Sequence, residues 1–547
     1  MTAPSPVAHV PRLARTDLLL AVTLVAGIGL VLGLPIARLF GVALERGLEG
    51  ALGTLGEPAV AGAIGNTAWT GVAVAVLATG AGTALALLTE RTAAPGRRWL
   101  RLLVAAPLVV PPFVTAFGWA RAFGPRGLSD LLIGVTLPGL YGPLGIVLVL
   151  AVAATPLSYL ILAGALASRV EPDVEWAARA SGAGPLTTIR TITLPLLRPA
   201  LVSSLVVAFV FAANAFGVPA VLGTPAGFLT VTTRLYQDLA LSADPAAFVR
   251  SAVLASTLVV LALAVVGAAD RLFAARAATR TGLPSGGSGG RRGGRVLVVL
   301  AGSLVAVVVL LPLAALVLGA LTRAAGLPPV PANWTLANFG QAIDGRFVAG
   351  LRNSALLAVT AATLVLPLGA LAALGARRAG RGWATVVTLG FAVPGSALAI
   401  GVLLAYGAAL RNTLAIILVA YVAKFWALGQ RQVAGALDRL PPDQLRASRS
   451  SGAGAWDAIR SVAMPALRPA LLAGWLTVFL FALHELTMSS LLYGPGTATL
   501  AVVVLNVQQL GDPTVSAALA VLLALIVGVV SLPLALLGAG ARFARRR

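Results

Sequence analysis

Apolar and polar positions in this chain neither alternate nor recur every three to four residues. They form uncharged blocks of about twenty or more, separated by short polar connections. Coiled as a helix, a block of roughly 20 apolar residues matches the thickness of a bilayer core. Such blocks predict twelve membrane-spanning helices, near 18–39, 67–89, 102–120, 142–168, 199–220, 248–269, 296–320, 354–376, 383–408, 412–434, 470–493 and 514–540. The expected fold class is an all-α integral membrane protein.

Composition removes the other classes. Of 547 residues 59% are hydrophobic and 11% charged, with a mean hydropathy of +0.95, which lies outside the range of soluble domains. The net charge of +22 sits in short Arg patches rather than on one basic face with interleaved aromatics. It therefore argues for membrane topology and against nucleic acid as a partner. With no Cys, and with His9 and His484 the only histidines, neither a disulfide framework nor a dedicated thiolate or imidazole metal site is expected. No catalytic residue and no metal ligand is assigned.

Arg-rich connections alternate with Arg-poor ones. Arg91, Arg97, Arg98 and Arg101 form one group, Arg169 to Arg198 the next, and Arg271 to Arg280, Arg377 to Arg381 and Arg439 to Arg468 follow. Positive charge stays on the cytoplasmic side, so these connections and both termini are expected there. Arg12 and Arg15 precede the uncharged run Leu18 to Ala37, which reads as an uncleaved first span. "ERGLEGALGTLGEP" and "GLPPVPANWTLANF" fall on the opposite side. The expected divisions are a cytoplasmic N-terminus (1–17), a first unit (18–270, core 62–270), a flexible Gly/Arg-rich joint (271–295), a second unit (296–540, core 349–540) and a basic cytoplasmic tail (541–547).

The two units repeat. Residues 172–201 and 442–471 are identical at 16 of 30 positions without a gap, and "GNTAW" at Asn66 has a counterpart in "RNSAL" at Asn353. Locally, "DVEWAARAS" reads as a short helix ending near Gly182 and "LTTIRTI" as a second, with Pro195 and Pro199 leading into the next span. A solvated loop whose Arg residues serve topology is the plain alternative. Loops drift, however, and the surrounding spans have diverged far more, so the doubled text points to a shared task. Six spans return each copy to its starting side, giving two parallel six-helix repeats with a pathway between them.

Gly182, Ile189 and Pro195, with Gly452, Ile459 and Pro465, resemble the cytoplasmic motif of type I ATP-binding-cassette importer permeases: Glu-Ala-Ala, three residues, Gly, and further on Ile and Pro. The resemblance covers both units. It implies a coupling helix seated in a cleft of an ATPase subunit, with Glu175, Trp176, Ala177, Ala178, Gly182, Ile189 and Pro195 at one contact. Arg446, Ala447, Ser448, Gly452, Ile459 and Pro465 would form the other. The sequence departs from the pattern: the usual Glu falls on Trp176, with Glu175 one place early, and on Arg446 in the second copy. The two contacts are therefore expected to be unequal.

The resemblance further implies two ATPase subunits carrying ATP and magnesium, an extracytoplasmic solute-binding protein and a bacterial-type plasma membrane. The chain itself is expected to bind no cofactor and to be no enzyme. Its sole lysine, Lys424, lies in "YVAKFW", and a phosphate-binding loop needs Gly-Lys-Ser/Thr.

Lys424 and Glu485 are charges expected deep inside spans, where charge is costly and marks function by default; snorkelling or structural pairing are the alternatives. At the repeat offset Asn214 matches His484, and Asn214, His484 and Glu485 are the candidate substrate-pathway residues, with satisfied core polar groups as a comparable reading. "FGVPAVLG" with "TTRLYQ", and "ELTMSSLLYGPGT" with "NVQQLGD", resemble fused permeases for ferric iron. The same importer class for thiamine, phosphonate, polyamine or another small solute is the alternative. A secondary carrier of the major-facilitator kind would leave the doubled segment without a task. A membrane-embedded enzyme would need clustered reactive side chains, and the acids here are scattered.

Overall fold

The computed structural model describes residues 26–544 apart from 93, 171, 274–290, 380–386, 388–389, 391, 439–443, 445–446, 449, 453, 455–456 and 458. The expected N-terminal stretch 1–17, most of the joint 271–295, Arg446 and the end of the basic tail lie outside these residues. Among the described residues there is no strand, and one isolated bridge joins Thr322 and Trp334.

The helices named below are, in the first half, α1 (Leu34–Ala43), α2 (Pro58–Arg91), α3 (Pro112–Phe123), α4 (Pro143–Arg169), the short α5 (Pro172–Ala180), α6 (Leu194–Ala213) and α7 (Ala246–Phe273). Those of the second are α8 (Arg291–Leu321), α9 (Gly345–Ala379), α10 (Gly395–Leu410), α11 (Leu414–Leu437), α12 (Met464–Leu483), the short α13 (Thr487–Leu492) and α14 (Pro513–Ala544). Proline opens many of them, because its missing N–H is one the first turn leaves unbonded anyway.

Among the described residues ten helices are long and apolar enough to cross a membrane, or eleven if one bent pair counts as a span. That pair, Arg97–Leu108 with Pro112–Ile133, turns through 104° where a straight helix over 102–120 is expected. Pro107, Pro111 and Pro112 remove helix donors at the break. Of the expected ninth span, 383–408, the described part is mainly α10, a 16-residue apolar helix. The expected fifth span, 199–220, instead begins at Pro185 and ends at Ala213. Pro195 and Pro199 do not stop it: a wide π turn, Ile189–Thr193, precedes α6, and Pro195 falls in the first turn of the α-helical part.

The halves repeat in structure as in text. α2 packs along α4 as α9 packs along α11, and α6 lies on α2 and α4 as α12 lies on α9 and α11. Lipid is as apolar as leucine, so such pairs hold by close contact of small residues and by hydrogen bonds. Ala75, Ala78 and Ala86 of α2 and Ala358, Ala361 and Ala362 of α9 are accordingly buried. Asn66 Nδ2 donates to the Leu229 carbonyl at 2.9 Å, and Asn353 Nδ2 to the carbonyls of Gly496 and Ala498, each at 3.0 Å. The neighbouring Thr67 and Ser354 hydroxyls accept the N–H groups of Val231 and Leu500 at 2.8 and 2.9 Å. In each half one long helix thereby anchors the loop that follows the repeat motif.

The first helix of each half crosses to the other. α1 packs on α10, and α8 packs on α3. A Cβ on Gly401 would lie 2.6 Å from the Pro35 carbonyl oxygen, and one on Gly118 2.8 Å from that of Pro312. Only glycine allows either approach, so both crossings rest on a Gly against a Pro-containing turn. The main buried core runs through both halves without interruption.

Candidate functional site

The doubled segment forms matching elements on the Arg-rich side of the helices. In the first copy α5 ends at a turn, Ser181–Gly182, and the chain re-enters at Pro185–Thr188 before the π turn and α6. Ser181 Oγ donates to the Ala177 carbonyl at 2.9 Å, and Ser451 Oγ to that of Ala447 at 3.0 Å. Gly182 and Gly452 have φ of +90° and +86°, the left-handed conformation that closes a helix and disfavours any Cβ. The second π turn, Ile459–Ala463, and α12 follow at the same 270-residue offset as Ile189–Thr193 and α6. Repetition of a wide turn, which is rare in helices, goes beyond what the residue identities require.

α5 presents two faces. Val174 and Trp176 are 43% and 56% exposed, Leu186 beyond the turn 67%, and Ala177, Gly182 and Ser181 are exposed as well. Ala178, Ile189 and Pro195 are half-buried. Glu175 points the other way and is 7% exposed. Its carboxylate lies 3.0 Å from Arg91 Nε and accepts the Thr193 hydroxyl at 2.6 Å. The surface available to a partner therefore carries Val174, Trp176 and Ala177 among the exposed charges of Asp173 and Arg179, with Glu175 beneath it. In the second copy Ala447, Gly452 and Pro465 are exposed and Ser448 is half-buried, while Arg446 lies outside the described residues.

The interior candidates sit at the ends of α6 and α12. Asn214 and His484 each occupy the residue after the helix, half-buried, and both Asn214 Oδ1 and His484 Nδ1 are buried without a hydrogen-bond partner among the described residues. Glu485 lies in the break between α12 and α13 rather than inside a span. It accepts the N–H groups of Met488 and Ser489 at 2.8 and 3.0 Å and the Ser489 hydroxyl at 2.9 Å. Ser489 Oγ also lies 3.0 Å from the buried Tyr421 hydroxyl. Lys424, three residues along α11 from Tyr421, donates to the Val393 carbonyl at 2.6 Å. Broken helices whose freed backbone groups face the interior are a recurrent way to build a transport pathway.

Residues that reasoning from sequence did not single out are the partners: Arg91 and Thr193 for Glu175, and Thr67 and Ser354 beside the paired asparagines. Arg91 reads in sequence as one of several topology charges, and its distance of 84 positions from Glu175 gives no local signal. Among the described residues no group of three or more His, Cys, Asp or Glu could hold a metal ion.

Comparison with known proteins fits this geometry. The chain is 27% identical over 480 residues to a ferric transport system permease protein of Actinobacillus pleuropneumoniae, covering 84% of this chain and 68% of that one. To an Fe(3+)-transport system permease protein of Haemophilus influenzae it is 26% identical over 492 residues, covering 87% and 90%. A putative 2-aminoethylphosphonate transport system permease protein of Salmonella typhimurium matches at 28% over 233 residues, 41% of this chain and 87% of that one. The model of one family matches twice, at residues 78–277 and 365–540, once in each structural half. This chain belongs to the family of binding-protein-dependent transport system inner membrane components.

Proposed function

We propose that the chain is the whole translocation unit of an ATP-driven importer, with ferric iron as its cargo. In this reading the two halves flank one pathway, α5 and its counterpart each seat on an ATPase subunit, and a solute-binding protein delivers cargo from the opposite side. ATP and magnesium belong to the ATPases. The Arg-rich connections and both termini face the cytoplasm, and the membrane is a bacterial-type plasma membrane.

The observation that carries the reading is the doubled turn: Gly182 and Gly452 in the same left-handed conformation, each followed by the same π turn and span. Two equivalent exposed turns suit two equivalent motors. Closure of the ATPases would bias the pathway toward one face; swinging such an equilibrium from 1:99 to 99:1 requires about 5.5 kcal/mol of differential binding. Ferric iron is favoured by the relatives that match both halves, and a phosphonate by the relative that matches one. Ferric ion needs no ligands in this chain if the binding protein chelates it.

The test is ATP-dependent uptake of ferric iron into proteoliposomes holding the permease with its ATPase and binding protein, beside Gly182→Arg plus Gly452→Arg. We expect uptake in the wild type and its loss in the double variant, with the complex still inserted. Uptake that persists without the ATPase would replace the reading with a secondary carrier. ATP hydrolysis stimulated by a binding protein, but without iron uptake, would keep the importer and discard the cargo.

A further inference from the structure

The buried carboxylate of Glu175 joins four elements at one point. Arg91, the last residue of α2, holds it by a 3.0 Å ion pair, and Thr193, in the π turn before α6, donates to it at 2.6 Å. Arg91 Nη2 also donates to the carbonyls of Leu166 and Val170, at 3.3 and 3.0 Å, where the end of α4 leaves carbonyls without helical partners. Arg101 pairs with Glu90 at 2.9 Å and bonds the Thr89 carbonyl at 3.1 Å. Thr89 Oγ1 lies 3.1 Å from the Tyr159 hydroxyl. The coupling segment is thus fastened to α2, α4 and α6 through groups shielded from water, where each hydrogen bond is stronger and its geometry stiffer than at a surface.

The second half does not carry this set. At the offsets that relate the paired asparagines and the doubled segment, Arg378 stands where Arg91 does. Leu445, Ala463, Arg377 and Gly429 stand in the places of Glu175, Thr193, Glu90 and Tyr159. Leucine and alanine side chains neither accept nor donate, so the second segment cannot be fastened by this set of side-chain bonds.

We propose that Arg91, Glu175 and Thr193 form a mount that fixes the angle of the first coupling segment against α2 and α6, so that the first half follows its motor stiffly while the second is held by different means. These are positioning residues: they act through the segment and touch neither cargo nor nucleotide. The part of the proposal that concerns a motor rests on the importer reading above; the mount itself does not.

Because the chain contains no cysteine, a single label can be placed at Ser181→Cys or Ser451→Cys, both exposed. The decisive variant is Glu175→Leu with Thr193→Ala, which installs the residues of the other half and leaves Arg91 its two carbonyl partners. In lipid nanodiscs the spin label at 181 should gain mobility in this variant while the label at 451 is unchanged. With the ATPase and binding protein added, the Glu175→Leu, Thr193→Ala variant should lose about fivefold or more of the stimulation by the binding protein, read as the ratio of stimulated to unstimulated ATP hydrolysis. A label at 181 that does not respond overturns the mount. A mobile label with full stimulation overturns its role in coupling, and absence of stimulation in the wild type overturns the importer reading while the label still decides the mount.

Discussion

The first half buries Glu175 beside the doubled segment, where it meets Arg91 and Thr193, and Asp238 against Arg234 and Arg250. The second half keeps its acid beside the interior break, where Glu485 receives the N–H groups of Met488 and Ser489. At the 270-residue offset Glu175 corresponds to Leu445, Glu485 to Ala215 and Lys424 to Ala154. Two halves with matching helices, the same π turn and the same crossing have placed Glu175 and Glu485 at different points of the repeat. Shape is therefore the repeated quantity and polarity the divergent one. A packed interior tolerates only contours that fit, while a charge survives wherever neighbouring donors happen to satisfy it.

The largest test of the shared shape lies at the crossings. Gly401→Leu and Gly118→Leu would each drive a side chain into a proline carbonyl and should cost about 3 kcal/mol. Thermal unfolding in detergent should show similar losses for the two; a loss at one site alone would break the symmetry of the crossing.

The next largest concerns the divergent charge. Glu485→Ala removes the acceptor from three hydrogen bonds and should lower stability by about 2–3 kcal/mol. Ala215→Glu places a carboxylate where Thr232 donates to the backbone carbonyl of Ala215, and it should destabilise as well, since no equivalent donor set awaits it. Were Ala215→Glu neutral in the same unfolding assay, the two breaks would be more alike than their sequences.

A smaller contrast separates the paired asparagines. Asn353 makes two hydrogen bonds and Asn66 one, so Asn353→Ala should cost about 2 kcal/mol and Asn66→Ala about 1 kcal/mol. Equal shifts in unfolding temperature would show that the second bond at Asn353 adds nothing. The smallest effect is expected from Gly182→Ala and Gly452→Ala, about 1 kcal/mol each from the left-handed backbone alone, since a Cβ at either meets no neighbour within 4 Å. Here the halves should respond alike, and unequal protease resistance of the two turns would sharpen the case for different mountings.

Much of the fold was legible because bilayer physics writes itself along the chain. Uncharged blocks marked most of the helices and an ungapped repeat of 30 residues the two halves, all from local text. The left-handed turns at Gly182 and Gly452 were legible too, because only glycine serves there without strain. The bend between Leu108 and Pro112 was half-written in its prolines, but whether prolines break a helix or open one depends on what packs beside them, as Pro195 shows by sitting inside a continuous span.

What the sequence determined alone was therefore the class, the position of most apolar blocks, the duplication and the exposed turn. What only the tertiary structure decided was which side of α5 each residue faces, that Glu175 turns inward to Arg91 across 84 positions, and that α1 and α8 cross to the opposite half. The physical reason is range. Helix formation and membrane insertion are settled within one apolar block, whereas a buried charge and a helix crossing are settled by whichever distant group arrives within about 3 Å, and no local pattern records that arrival.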